Sequence, residues 1–278
     1  GSEMCIRDRL TTREREQTYW ANQDMRWSYN ERRYKKLLQY HPGGLLLYLY
    51  GNSGQVEHLF DLFRKVFEAI AEQGVNAEER GYLSGIVRRV DEQYYTDEWA
   101  KCCLLLYKKE LLQKPPLCLQ RLFFRHPDKM KMFLEENPSR SFDVENDYYL
   151  PEEAYQDKRA FDCWAECLYE EFPEILGYIM GKSCNGKDGA FPHEFIREFL
   201  EKQQNEKLTK AVFYGNFNSR GARIVQDGRT LYEQAKCYRA QARELRLKFP
   251  QSAKILLQLA KWMESEAQHD QLEAEIVP

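Results

Sequence analysis

Apolar residues recur along this chain at intervals of three and four, and strict alternation is rare. Leu59, Phe60, Phe63, Val66, Phe67 and Ile70 mark one face of a helix from about Gln55 to Glu72, since residues so spaced share one side of a 3.6-residue turn. Trp99, Cys102, Cys103, Leu106 and Leu111 outline a second face, and Ala160, Cys163, Trp164, Cys167, Leu168 and Ile175 a third. Phe191, Phe195, Phe199 and Leu200 resume the pattern beyond a polar loop at Ser183 to Gly189. The cleanest stripe comes last: Ala253, Leu256, Leu257, Ala260, Met263 and Ala267, with Leu257 near its centre and expected to be buried. The spacing predicts an all-α chain.

Four prolines punctuate this pattern in the same way, at Tyr40-His41-Pro42, Arg125-His126-Pro127, Glu171-Phe172-Pro173 and Lys248-Phe249-Pro250. Proline suits a first helical turn, where its missing N–H costs nothing, and it forces the residue before it out of the α region, so one helix ends as another begins. The junctions predict stacked antiparallel helix pairs, as in helical-repeat solenoids. Their intervals of 85, 46 and 77 residues fit no single repeat period, which leaves an irregular bundle equally open. The polar, proline-bounded segment 137–151 predicts a linker between helical halves at 10–136 and 152–278. Gly215, Gly221 and Gly228 allow one short β-hairpin near 214–228.

Composition narrows the class. A chain that is 43% hydrophobic and 14% aromatic has the material for one or two packed cores, which excludes disorder as its main state. The most apolar run, Leu45 to Tyr50, is far shorter than the roughly 20 residues a spanning helix needs, so no membrane partner is expected. No secretory pattern opens the sequence, and a cytoplasmic setting is expected. Gly1 to Arg9 reads as translated sequencing adapter, which implies a shotgun-sequenced, bacterial source and a protein that continues upstream.

Charge is balanced overall, at a net of -3, but not locally. Lys101 to Lys131 carries a net +6, and Glu135 to Glu174 a net -10. Adjacent helices presenting complementary faces would account for both blocks. Two functional readings stand beside that one. Lys108, Lys109, Lys114, Arg121, Arg125, Lys129 and Lys131 could form a surface for nucleic acid, with Tyr107 or Phe124 as an accessible stacking platform, or the acidic block could receive a basic protein.

Several motifs come close to known chemistry and stop short. Gly177-Tyr-Ile-Met-Gly181-Lys182-Ser183 has the ending of a phosphate loop but one residue too few between its glycines, and its context is helical, so Gly181 reads as the close of a helix. His193-Glu194 begins like a zinc-protease helix, yet the position that needs the second histidine holds Arg197; the pair reads as a helix start. Cys102, Cys103, Cys118, Cys163, Cys167 and Cys237 lie on or beside apolar stripes and are expected to be buried thiols, with Cys184 exposed. Cys163 and Cys167 offer half a metal site without a matching pair. His41 and His126 read as corner residues of the helix junctions. No catalytic residue, metal site or cofactor is expected.

The segments Asp227-Gly-Arg-Thr-Leu-Tyr, Tyr238-Arg-Ala-Gln-Ala-Arg, Phe249-Pro-Gln-Ser-Ala-Lys-Ile-Leu and Trp262-Met-Glu-Ser-Glu-Ala together resemble the helical-repeat tails of large bacterial proteins, including sensor and defence proteins. The resemblance spans about the last fifth of the chain and brings no catalytic motif. It implies a non-catalytic interaction or scaffolding module whose partner is another protein or its own upstream domain. A nucleic-acid-binding or sensing domain, as in defence proteins, and an enzyme with an unrecognised site are the alternatives.

Overall fold

The computed structural model describes residues 37–219 and 229–276, and every regular element among them is helical. The chain is all-α. No helix of the described residues is long and apolar enough to cross a membrane. Residues 1–9 lie outside the described residues, as do 220–228 of the expected hairpin, whose first part, 214–219, is helical instead.

Two compact units divide after Leu119. The segment 137–151 therefore lies inside the second unit rather than between halves, for a local reason. Pro138–Arg140 forms a 3-10 turn and Ser141–Asp147 a helix, and the few apolar side chains there are used fully: Val144 and Tyr148 are completely buried. The Tyr148 hydroxyl donates to the Gln120 carbonyl at 2.9 Å. A polar composition concealed two anchors.

The first unit contains α1 (Gly43–Gly51), α2 (Val56–Gln73), α3 (Ala77–Asp91) and α4 (Asp97–Lys108), and it ends in the first turn of α5 (Leu117–Arg125). Helix α3 starts where a capping box dictates: Asn76 Oδ1 accepts the Glu79 amide at 2.9 Å while Glu79 Oε2 accepts the Asn76 amide at 2.8 Å. Thr96 caps α4 with a single bond, its hydroxyl oxygen accepting the Trp99 amide at 3.1 Å, ahead of Asp97 and Glu98, whose carboxylates favour the positive end of the helix dipole. Helix α2 packs on α4 and α1 on α3. Trp99, fully buried, has its ring 5.9 Å from that of Phe63 and 5.5 Å from that of Phe67, so the first two stripes read from the sequence meet here.

The second unit takes in the rest of α5, then α6 (Pro127–Glu136), α7 (Ser141–Asp147), α8 (Lys158–Tyr169), α9 (Pro173–Gly181), α10 (Glu194–Gln203), α11 (Glu206–Ser219), α12 (Arg229–Leu245) and α13 (Pro250–Ile276). Here and at Pro42 in the first unit, the four proline junctions share one hydrogen-bond pattern. His41, His126, Phe172 and Phe249 each donate the backbone amide to the carbonyl four residues back, closing the old helix. Each then offers its own carbonyl to open the next, accepting from Gly44, Lys129, Leu176 and Ala253. At His126 and Phe172 the backbone has left the α region, with ψ of 73° and 48°, as a following proline requires.

Helices α12 and α13 form an antiparallel hairpin in which Leu231 and Ala235 pack against Ala260, Met263 and Ala267, and Arg239 pairs with Glu264 on the outside. Leu257 is a correction. It is 43% exposed, whereas Ile255 and Leu259 are fully buried. Helix α13 touches α10 and α11 as well as α12, so its apolar surface is wider than one stripe, and Leu257 falls on the face that remains. Helices α9 and α11 pack closely and run in the same sense. Gly177 lies against Ala211, Gly181 against the backbone of Val212 and Gly215, and Gly215 against the backbone of Tyr178. The glycines that imitate a phosphate loop are there because a Cβ would collide with the neighbouring helix.

Candidate functional site

Two places in the first unit gather chemistry. The first is a groove between α1 and α3. Gly81, Ser84 and Gly85 leave the surface of α3 low, while Tyr50 and Tyr82, with ring centroids 5.7 Å apart, and the charged pair Glu78 and Arg88 rise around it. The concavity measures about 590 Å³. Gly85 is required by the fit, since a Cβ there would come within 2.7 Å of the Tyr50 ring. Tyr50 is held from the other side by Arg89, whose guanidinium lies 3.9 Å over the ring and donates to the Tyr50 carbonyl at 3.3 Å. The Tyr82 hydroxyl donates to Glu78 at 3.2 Å. The result is an aromatic wall, a floor of helix backbone and a rim of both charges.

The second is buried. Asp91, the last residue of α3, Cys103 in the middle of α4 and Cys118 at the start of α5 bring their ligating atoms within 4.8 Å of one another. Asp91 is 8% exposed, Cys118 1% and Cys103 not at all. A carboxylate is tolerated there because donors surround it: Trp99 Nε1–H at 2.9 Å to one oxygen and the Cys118 amide at 3.2 Å to the other. The acceptor also caps α5. Burial raises the Asp91 carboxyl above its ordinary range, against the lowering effect of these donors and of the Cys118 thiol. Burial likewise pushes both thiols up, and the two hydrogen-bond each other. They are neutral and, as cysteine nucleophiles, inert.

No spacing in the sequence announces this trio, and no candidate site was read there. The one signal is that Asp91 falls eight residues after Leu83 and four after Val87, a carboxylate on an otherwise apolar helix face. The other expected thiols divide. Cys102 is buried, but Cys163 and Cys237 are exposed and Cys167 is half-buried, because their helices turn Trp164, Leu168, Ala235 and Ala242 inward instead. Cys184 is exposed, as expected.

The basic residues are not one constellation. In the first unit Lys108, Lys109 and Lys114 are exposed, and Tyr107 beside them is fully buried. In the second unit Arg121 and Arg125, one turn apart on α5, both face Glu153. Arg125 pairs with it through two bonds of 2.9 and 3.1 Å, and Arg121 approaches to 4.0 Å. Lys131 pairs with Glu171 at 2.6 Å, Lys129 is half-buried, and Phe124 is 5% exposed. The acidic block meets the basic block at these positions.

Two groups next to failed motifs have structural roles. His193 is the N-cap of α10, its Nδ1 accepting the Phe195 amide at 3.3 Å, and Arg197 is buried in a two-bond pair with Asp188 at 2.7 and 2.8 Å that fixes the loop before it. Lys182 is half-buried after the end of α9, donating at 2.5 Å to the Glu145 carbonyl and lying 4.9 Å from the Tyr149 ring centre. Burial brings its ammonium down to about 7, although Asp147 and Glu145 work in the opposite direction. No family model, curated protein or solved structure matches the chain.

Proposed function

We propose that the chain is a non-catalytic interaction module that binds a segment of a partner protein, or of its own upstream region, in the groove between α1 and α3. The observation that carries this reading is the groove itself. Two tyrosine rings stand over exposed helix backbone at Gly81, in a concavity of about 590 Å³ that fits one or two side chains of a peptide. Aromatic walls with a polar rim are the usual make-up of a recognition hot spot. The anchor that suits it is aromatic or aliphatic, with polar neighbours able to meet Glu78 and Arg88. Buried thiols at Cys102, Cys103 and Cys118 agree with a reducing, cytoplasmic setting.

Selection from a displayed random-peptide library on the folded chain tests this. The expected result is an enriched sequence family that loses binding to Gly81→Trp, which fills the groove from a position where a Cβ meets nothing within 4 Å. Failure to enrich, or binding indifferent to that substitution at an unchanged melting midpoint, would overturn it. Shift assays with single-stranded and duplex probes at about 50 and 200 mM salt address the nucleic-acid alternative. Submicromolar binding at the higher salt, lost on Lys108→Glu with Lys109→Glu, would favour that alternative instead.

A further inference from the structure

We infer that Asp91, Cys103 and Cys118 form a binding site for one thiophilic divalent cation, zinc(II), which ties the end of α3, the middle of α4 and the start of α5 together. The geometry fits the ion. If three atoms all lie within 4.8 Å of one another, a point at their centre is at most about 2.8 Å from each. Zinc takes sulfur at about 2.3 Å and carboxylate oxygen at about 2.0–2.2 Å, so an inward shift of roughly half an ångström completes the contacts. Rotation of two cysteine side chains supplies a shift of that size without moving a helix.

The donor set selects the metal. Two sulfurs and one carboxylate, with no imidazole, prefer zinc to magnesium or calcium, which take oxygen ligands at longer range or higher number. One carboxylate oxygen lies within reach of the ion, giving two sulfur contacts and one oxygen contact. The hydrogen bonds already on Asp91 do not stand in the way: the Trp99 indole and the Cys118 and Leu117 amides take three of the carboxylate's four lone-pair sites, and one remains for the ion. The Trp99 indole N–H and the Cys118 amide would then hold the carboxylate from behind, as outer partners hold ligands in metal sites. Proton balance is simple. Each thiol releases one proton, the two thiolates and the Asp91 carboxylate carry three negative charges, and the cation neutralises two of them. The remaining charge is met by the indole, the amide and the α5 N-terminus.

Three separate helices contribute one ligand each, so the site would form only as the first unit folds, and binding would add to its stability. The test is to refold the full chain with zinc or cadmium and measure bound metal after gel filtration. One equivalent per chain is expected, with two protons released and a cadmium NMR shift typical of two sulfur donors. Cys103→Ser and Cys118→Ser should each abolish stoichiometric binding. Trp99→Phe, which removes the outer N–H and leaves every ligand in place, should weaken binding about 10- to 100-fold. The inference is overturned if the folded wild type retains no more metal than the double cysteine variant, or if bound cadmium reports no sulfur or four. Should the cysteine variants fail to fold, the sulfur count in the wild-type protein still decides.

Discussion

Gly81 and Gly85 stand one turn apart on α3 and have opposite surroundings, which makes their substitution a sensitive check on the groove. Nothing lies within 4 Å of a Cβ at Gly81, whereas one at Gly85 meets the Tyr50 ring. Gly81→Ala should therefore raise stability by about 0.5–1 kcal/mol, the ordinary gain for a helix interior. Gly85→Ala should show a smaller gain or a loss, since Tyr50, pinned by Arg89, must shift. Denaturant midpoints decide; equal gains at both positions would mean that Tyr50 does not pack against α3. The same reasoning separates Leu256 from Leu257. Leu256→Ala, at a position with no exposure, should cost about 2–5 kcal/mol. Leu257→Asp, at a position 43% exposed, should stay near the ±0.5 kcal/mol typical of surface changes. Periodicity identified the helix but not the face on which two adjacent leucines divide, because helix α13 is covered from more than one side.

At the scale of elements, helix starts and stops were the most legible feature of the sequence. The four prolines end and begin helices through purely local sterics, and local rules survive whatever the tertiary context does. The glycines of α9 and α11 show the opposite case. Their spacing invited a reading about phosphate, while their use depends on a helix some 30 residues further on, which no local rule reveals. Gly215→Ala tests that use. It improves intrinsic helix propensity by about 1 kcal/mol, yet its methyl would strike the backbone of Tyr178, and backbone cannot rotate aside. Overpacking of that kind costs about 1–3 kcal/mol, so a net loss and a melting temperature lower by a few degrees are expected. A rise would show that α9 and α11 are further apart than described. The Asp91, Cys103 and Cys118 cluster was illegible for the same reason: its members are separated by 12 and 15 residues and meet only through packing.

Stability as a function of pH belongs to the whole molecule, and Lys182 gives it a recognisable sign. Its ammonium titrates at about 7 in the folded chain and near its model-compound value of 10.5 once unfolded. Below pH 7 both states carry the proton, and the folded state bears the full cost of burying the charge. Between 7 and 10.5 the unfolded chain binds more protons than the folded one, so stability rises with pH, by at most about 1.4 kcal/mol per unit. The neighbouring Glu145 acts the other way. Its carboxyl is raised from 4.5 by burial and by Glu174, so its contribution is present at acid pH and lost as it ionises, opposite in sign to that of Lys182. Cys103 and Cys118, held up from 9.0 by burial, oppose the rise from about pH 8 upward, where unfolded thiols begin to ionise. The clean interval is therefore pH 7 to about 8. Urea unfolding across it should show increasing stability in the wild type and a flatter profile in Lys182→Met, whatever that substitution does to the absolute midpoint. If the two profiles rise in parallel, Lys182 keeps an ordinary ammonium and the contact with the Glu145 carbonyl does not shelter it from water.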